Sequence, residues 1–231
     1  FMKRVAFYGF IEDSLQDFAA YAKKHPDAEV WGFNASQRLA DWSYPRYSRW
    51  YELHAIPKLA EDLPWLAKAD CPVVMQQVHP DVPRSIAYPL DAAKRLLFYP
   101  YFTNTITFML AHAILDGFEE IALFGIDMAI RMGDGPSELS EQRPSVEYAL
   151  GIARGRGISI CIPDSCDLLK TNVLYGYEEH VDSLRTRMRR RREALERGMS
   201  YHENSAASYR GALMELDGDL ARWLTSEDEK T

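Results

Sequence analysis

The stretch from Phe102 to Met128, FTNTITFMLAHAILDGFEEIALFGIDM, limits the possible folds of this chain more than any other. Ile106, Met109, Leu110, Ala113 and Ile114 recur at helical spacing and give a helix one apolar face. Thr103, Asn104 and Thr105 precede that face, and their side-chain oxygens suit the free N–H groups of a helix start. Gly117 follows the last periodic residue, where a left-handed residue stops a helix. Ile121 to Phe124 is then a short apolar run of the kind found in strands covered on both faces. Gly125 and Asp127 close it with a small residue and a carboxylate. Ligands of open α/β sheets bind at the carboxyl ends of parallel strands, so a site is expected there.

The flanking sequence repeats the same alternation. Strands are expected at Arg4–Tyr8, Ala28–Phe33, Arg49–Leu53, Pro72–Gln76 and Ile158–Ile162. Helices are expected from Asp13 or Ser14 to about Lys24, from Pro57 to Ala67, and from Pro144 to Arg156. Residues 79–100 read as a proline-rich excursion, and 131–142 as a polar loop of lid composition. The order predicts an α/β fold with a doubly wound, mostly parallel sheet over residues 2–175. From 176 to 231 the texture changes. Leu184, Met188, Leu195 and Met199 form one helical stripe, and Tyr209, Leu213, Leu216, Leu220 and Trp223 another. Together they predict a C-terminal helical hairpin able to cover one end of the sheet or to pair with a second copy.

Composition narrows the class. With 231 residues, 47% of them hydrophobic, the chain suits one globular domain with an appendage. No apolar run is long enough to span a bilayer, and no leader pattern precedes the first strand, so a cytoplasmic protein is expected. Cys71, Cys161 and Cys166 have neither disulfide arithmetic nor metal spacing. The net charge of −7 argues against nucleic-acid binding over the whole surface. Arg189 to Arg192 is the local exception, readable as a contact to nucleic acid or as a solvated helix face paired with Glu193 and Glu196. The signatures of phosphate-loop enzymes, dinucleotide oxidoreductases, serine hydrolases and zinc enzymes are missing.

Polar residues instead close several strands: Asn34, His54, Gln76 or Gln77, and Asp127. Singly each is an ordinary turn, edge or cap residue; their convergence on one crevice is what predicts a site. Arg143, before a helix start, is a candidate anion partner.

Asn104-Thr105-Ile106, Asp116-Gly117-Phe118 and Glu120-Ile121 to Gly125-Ile126-Asp127 together resemble the helix–strand core of the bacterial sialyltransferase-like fold, shared in outline with flagellin-glycosylation and pterin-pyrophosphokinase-like proteins. Cys161-Ile162-Pro163-Asp164-Ser165 is similar to that family's strand ending in Cys-Pro-Asn-Ser. The resemblance implies a Rossmann-like glycosyltransferase whose substrate is a nucleotide sugar, with no tightly bound cofactor and the metal requirement open. It implies donor contacts at Gly9, Ser14, Asn34, Asn104, Thr105 and Arg143. The first loop departs from the family: Glu12 and Asp13 stand where a phosphate is cradled, and only Gly9, Ser14 and Leu15 match. The segment corresponding to the family's mobile loop, Ser137 to Arg143, lacks that loop's histidine base, which leaves His54 as the base and Asp127 as the alternative. Trp-Gly-x-Asn followed by Glu-x-His also resembles proteins of tailed phages and prophages. The acceptor stays open among a glycan, a protein side chain and a modified base of phage DNA. The competing expectation is a phage nucleotide-binding or assembly protein without catalysis.

Overall fold

The computed structural model describes residues 2–10, 15, 17–34, 46–126, 128, 138–171 and 174–177, with shorter helical pieces between 188 and 217. The chain divides into two units, residues 1–170 and 171–231. In the first unit the elements run β1 (Arg4–Tyr8), α1 (Phe18–Lys24), β2 (Glu29–Phe33), β3 (Arg49–Tyr51), α2 (Ile56–Leu59) and α3 (Leu63–Leu66). They continue with β4 (Val73–Met75), β5 (Ser85–Ala87), α4 (Leu90–Leu97), α5 (Thr105–Leu115), β6 (Glu120–Phe124), α6 (Glu138–Gly155) and β7 (Ser159–Cys161).

The seven strands form one sheet in the order β5-β4-β3-β2-β1-β6-β7, and every pairing among them is parallel. Successive strands step one way from β1 to β5, and then β6 returns to β1's other side. The order therefore reverses between β1 and β6, and ligands of open sheets bind at such a reversal.

Alternation along the strands builds a core on each face. Val5, Phe7, Trp31, Tyr51, Ile121 and Leu123 pack with α4, α5 and α6. Ala6, Ala122 and Phe124 meet Phe18 and Tyr21 of α1, while Trp50, Val73 and Met75 meet Leu59 of α2 and Leu66 of α3. Parallel strands covered on both faces read as continuous apolar runs. Helix α5 is more enclosed than a one-faced helix: nine of its eleven residues are buried. A helix apolar on all sides belongs inside a protein, and α5 is in contact with the sheet and with α4 and α6.

The sequence reading needs correction in three places. The excursion at 79–100 contains an edge strand, β5, and helix α4. Its prolines mark the starts and ends of these short elements. The single helix expected over 57–67 is two one-turn helices. Helix α6 begins at Glu138, so Pro144 lies inside it. Proline lacks an N–H, and the ladder there omits a bond. Two residues before Pro144, Gln142's carbonyl accepts from Ser145 Oγ at 2.9 Å and Asn104 Nδ2 at 3.1 Å.

The second unit carries helical pieces at the C-terminus, as expected, and on them Met188, Leu195, Met199, Tyr209, Leu213 and Leu216 are exposed. Arg192 pairs with Glu196 at 2.7 Å, as on a solvated helix face. Arg190, Leu184, Leu220 and Trp223 lie outside the described residues. Among the described residues no helix is long and apolar enough to cross a membrane.

His112, from its place on the central helix a core or surface histidine, is buried on α5. Its Nδ1 is 2.8 Å from Tyr51 Oη and its Nε2 3.3 Å from Arg49 Nη1. Arg49 also pairs with Asp116 at 2.8 Å and lies over the Trp31 ring. Burial, helped by the Arg49 charge and opposed by Asp116, pulls the His112 pKa down to about 4. The folded imidazole stays neutral over a range in which the unfolded one takes a proton. Stability is therefore fully present above the unfolded pKa near 6.5 and is lost as pH falls towards 4, by about 3 kcal/mol in all. Urea unfolding of wild type and His112→Gln between pH 4.5 and 7.5 checks this. The variant, with nothing to protonate there, is expected to show a shallower pH dependence; parallel curves would contradict it.

Candidate functional site

The switch between β1 and β6 is closed by two glycines. Beyond the regular strands, Gly9 N–H donates to Phe124 O at 2.8 Å and Phe10 N–H to Gly125 O at 3.0 Å. These amides extend the β1–β6 ladder. A Cβ on Gly9 would press into the Gly125 carbonyl, 2.8 Å from its carbon. Gly125 has φ +67°, a left-handed conformation that side chains rarely adopt. The close approach carries Phe10 and Ile126 onto the wall of a cavity of about 600 Å³ at the carboxyl ends of the strands.

The cavity is part apolar, with Phe33, Leu53, Phe102, Ile106, Phe108 and Met128, and part polar, with Asn34, His54, Lys58, Asn104, Thr105 and Gln142. Asn34 follows β2 at φ +57°, a region that asparagine tolerates better than most residues. Its Oδ1 accepts from Thr105 Oγ1 at 2.9 Å, which leaves the two amide N–H donors for an occupant. Thr105 therefore orients Asn34. Asn104 is the N-cap of α5: its Oδ1 accepts from Thr107 N at 2.9 Å. Its amide donates to Gln142 O and Ser145 Oγ. The buried Thr107 and Ser145 complete this cluster, which ties α5 to α6.

His54 stands just past β3. Its Nδ1 lies 2.6 Å from Glu52 Oε1. The Glu52 side chain is 0% exposed and the imidazole 35% exposed, so the pair runs from the core to the cavity wall. Burial pushes the Glu52 pKa up, and the hydrogen bond and charge of His54 work against that.

The structure thus brings Asn34, His54, Asn104 and Thr105 to one cavity and sets Gly9 against Gly125, which lines it. Arg143 is not on the cavity wall. Its guanidinium bonds Glu147 Oε1 at 2.9 Å, Met128 O at 3.3 Å and Asp167 O at 2.6 Å, which join α6 to the segments after β6 and β7. A salt bridge four residues along a helix needs no anionic ligand to explain it. Gln76 bonds Leu53 O at 2.7 Å and, with Gln77, is exposed to solvent. Ser14, Asp127 and residues 131–137 of the polar loop lie outside the described residues.

Two residues were not singled out from sequence. Glu52 had a signal: positions two apart share a strand face, so Glu-x-His places the two side chains side by side. Lys58 had none beyond lying one turn past His54, yet it is the cation among the described lining residues. No cluster of three or more metal-ligating side chains occurs among the described residues.

The fold and cavity define a doubly wound α/β protein with a part-polar, part-apolar pocket at its switch point, the arrangement common to many nucleotide-binding proteins. Among known proteins, no family model and no curated protein matches this chain. Solved structures similar to it include the sialyltransferase CstII from Campylobacter jejuni in complex with the substrate analogue CMP-3FNeuAc. That structure is 17% identical over 70% of this chain and 81% of the other, with a TM-score of 0.47. Monomeric CstII is 16% identical over 71% and 82%, with a TM-score of 0.48. A point mutant of CstII, an alpha-2,3/8-sialyltransferase, is 14% identical over 80% and 99%, with a TM-score of 0.44. These are distant likenesses, with fewer than one aligned residue in five identical.

Proposed function

We propose that this protein is a group-transfer enzyme using a nucleotide-activated donor, a glycosyltransferase with a nucleotide sugar as substrate. The observation that carries this is the joint presence, on one cavity wall, of an imidazole backed by a buried carboxylate, a lysine, and an oriented asparagine amide. The sequence likeness around Glu120 to Asp127 favours the same reading. In the reaction, the acceptor hydroxyl oxygen attacks the donor's anomeric carbon, and the bond from that carbon to the phosphate oxygen breaks. The bonding pair leaves with the phosphate, whose growing charge Lys58 offsets. The acceptor proton passes to His54 Nε2. Asn34 donates to the nucleotide portion, and the aromatic side chains around Phe102 offer an apolar wall for a base. Asp127 is the alternative base. Lys58 takes the anion-binding role the sequence reading gave to Arg143, whose guanidinium is engaged elsewhere.

A thermal-shift series with nucleosides, nucleotides and nucleotide sugars tests binding. A ligand at 100 times its Kd adds about 2.7 kcal/mol of stability. Lys58→Ala is expected to weaken nucleotide binding by roughly tenfold or more, as loss of a hydrogen bond to a charged group does, while leaving nucleoside binding unchanged. Equal losses for both would remove Lys58 from the phosphate. No shift with any ligand would contradict donor binding.

A further inference from the structure

Glu52 is the one glutamate among the described residues whose side chain is shut away from water, and it sits at the end of a short central strand. Its own amide continues the β3–β4 pairing by donating to Val74 O at 2.9 Å. The backbone is thus fixed, and the carboxylate lies in a setting where an unpaired charge would cost several kcal/mol. One partner that helps make an acid tolerable there is the imidazole two residues on, bonded at 2.6 Å through Nδ1. A second contact, from the His54 amide to the same oxygen at 3.4 Å, holds the turn in place.

We propose that Glu52 is the positioning residue of the base: it accepts the Nδ1–H of His54 and fixes the tautomer whose Nε2 lone pair faces the cavity. The hydrogen bond at one ring nitrogen decides which nitrogen carries the proton. An ionised carboxylate accepts and cannot donate, so beside it Nδ1 holds the hydrogen and Nε2 is left as the acceptor. Nδ1 points towards the core, so Nε2, on the other side of the ring, is the nitrogen left for the cavity that His54 lines. When the acceptor hydroxyl gives its proton to Nε2, the ring becomes an imidazolium. Glu52 stays a carboxylate and stabilises that charge without taking the proton, the part a buried acid plays beside a catalytic histidine. The base is therefore set before any acceptor arrives, from the strand end and not from a mobile loop. This role rests on the transferase reading, while the tautomer itself does not.

Long-range proton–nitrogen NMR spectra of uniformly 15N-labelled protein at pH 8 test it, with the His54 signals assigned by their loss in His54→Gln. In wild type the His54 pattern is expected to be that of the Nδ1–H form. In Glu52→Leu, where the acceptor is gone and a similar volume is kept, the Nε2–H form is expected to become the major one. A wild-type Nε2–H pattern would overturn the proposal, and so would an unchanged Nδ1–H pattern in Glu52→Leu. If Glu52→Leu does not fold, the wild-type spectrum alone decides. Neither spectrum needs a substrate, so failure here leaves the transferase reading standing, and failure to bind nucleotides leaves this pairing standing.

Discussion

Replacing His54 with alanine is expected to lower turnover of a nucleotide-activated donor by roughly 10²- to 10⁴-fold, the usual contribution of a positioned base. The fold should hardly change. The imidazole is partly exposed on the cavity wall and supports no core packing. The residue put at risk is the buried Glu52, which loses its hydrogen bond to His54, so some loss of stability accompanies the substitution. His54→Ala with Glu52→Leu should recover that stability without recovering turnover. Donor binding, carried by Asn34 and Lys58, should remain close to wild type. The comparison is steady-state turnover against thermal shift on the same preparations. A His54→Ala enzyme within a few-fold of wild type would move the base, with Asp127 next to test. Loss of donor binding without loss of rate would make His54 a donor contact.

Gly9→Ala is expected to be the most damaging single change outside the large core side chains. The added methyl meets the Gly125 carbonyl, and neither partner is a flexible side chain that can swing away. Both backbones are held by the ladder bonds from Gly9 N to Phe124 O and from Phe10 N to Gly125 O. Relief requires β1 and β6 to part at the switch. Changes of this kind fall in the severe tail, about 3–5 kcal/mol, or roughly 10 °C in Tm for a unit of this size. Gly151→Ala is the control. It lies within α6 with open space where the methyl would go, and should stabilise by about 0.5–1 kcal/mol. Thermal unfolding of both variants checks the contrast. A Gly9→Ala protein as stable as wild type would mean the two strands do not approach as described.

Most of the sheet was legible in the sequence because each strand–helix step carries its own local signal. The central stretch is the best case: the periodicity of Ile106 to Ile114, the Asn104 cap and Gly117 all agree with α5 and β6. Two elements between the prolines of 79–100 were not legible. β5 is three residues long, and α4 follows directly on Pro89, so both were absorbed into a proline-rich loop. Pro144 suggested a helix start because proline usually marks one, whereas α6 had already begun. At the candidate site, strand-end position was enough to bring Asn34 and His54 to one cavity. It was not enough for Arg143, whose partners Glu147, Met128 and Asp167 lie 4, 15 and 24 residues away and depend on tertiary packing. Glu52 reads from sequence as an ordinary acid at a strand end. The Glu-x-His spacing puts it on the same face as His54, and its burial and the 2.6 Å contact show the two as a pair.

The most direct test of the central claim is a crystal structure of the protein soaked with a nucleotide sugar that raises its thermal stability. Nucleotide density is expected in the cavity at the β1–β6 switch, with phosphate oxygens within reach of Lys58, an acceptor atom of the nucleotide within reach of the Asn34 amide, and the anomeric carbon facing His54 Nε2. Density at any other surface, with this cavity left to solvent, would contradict it.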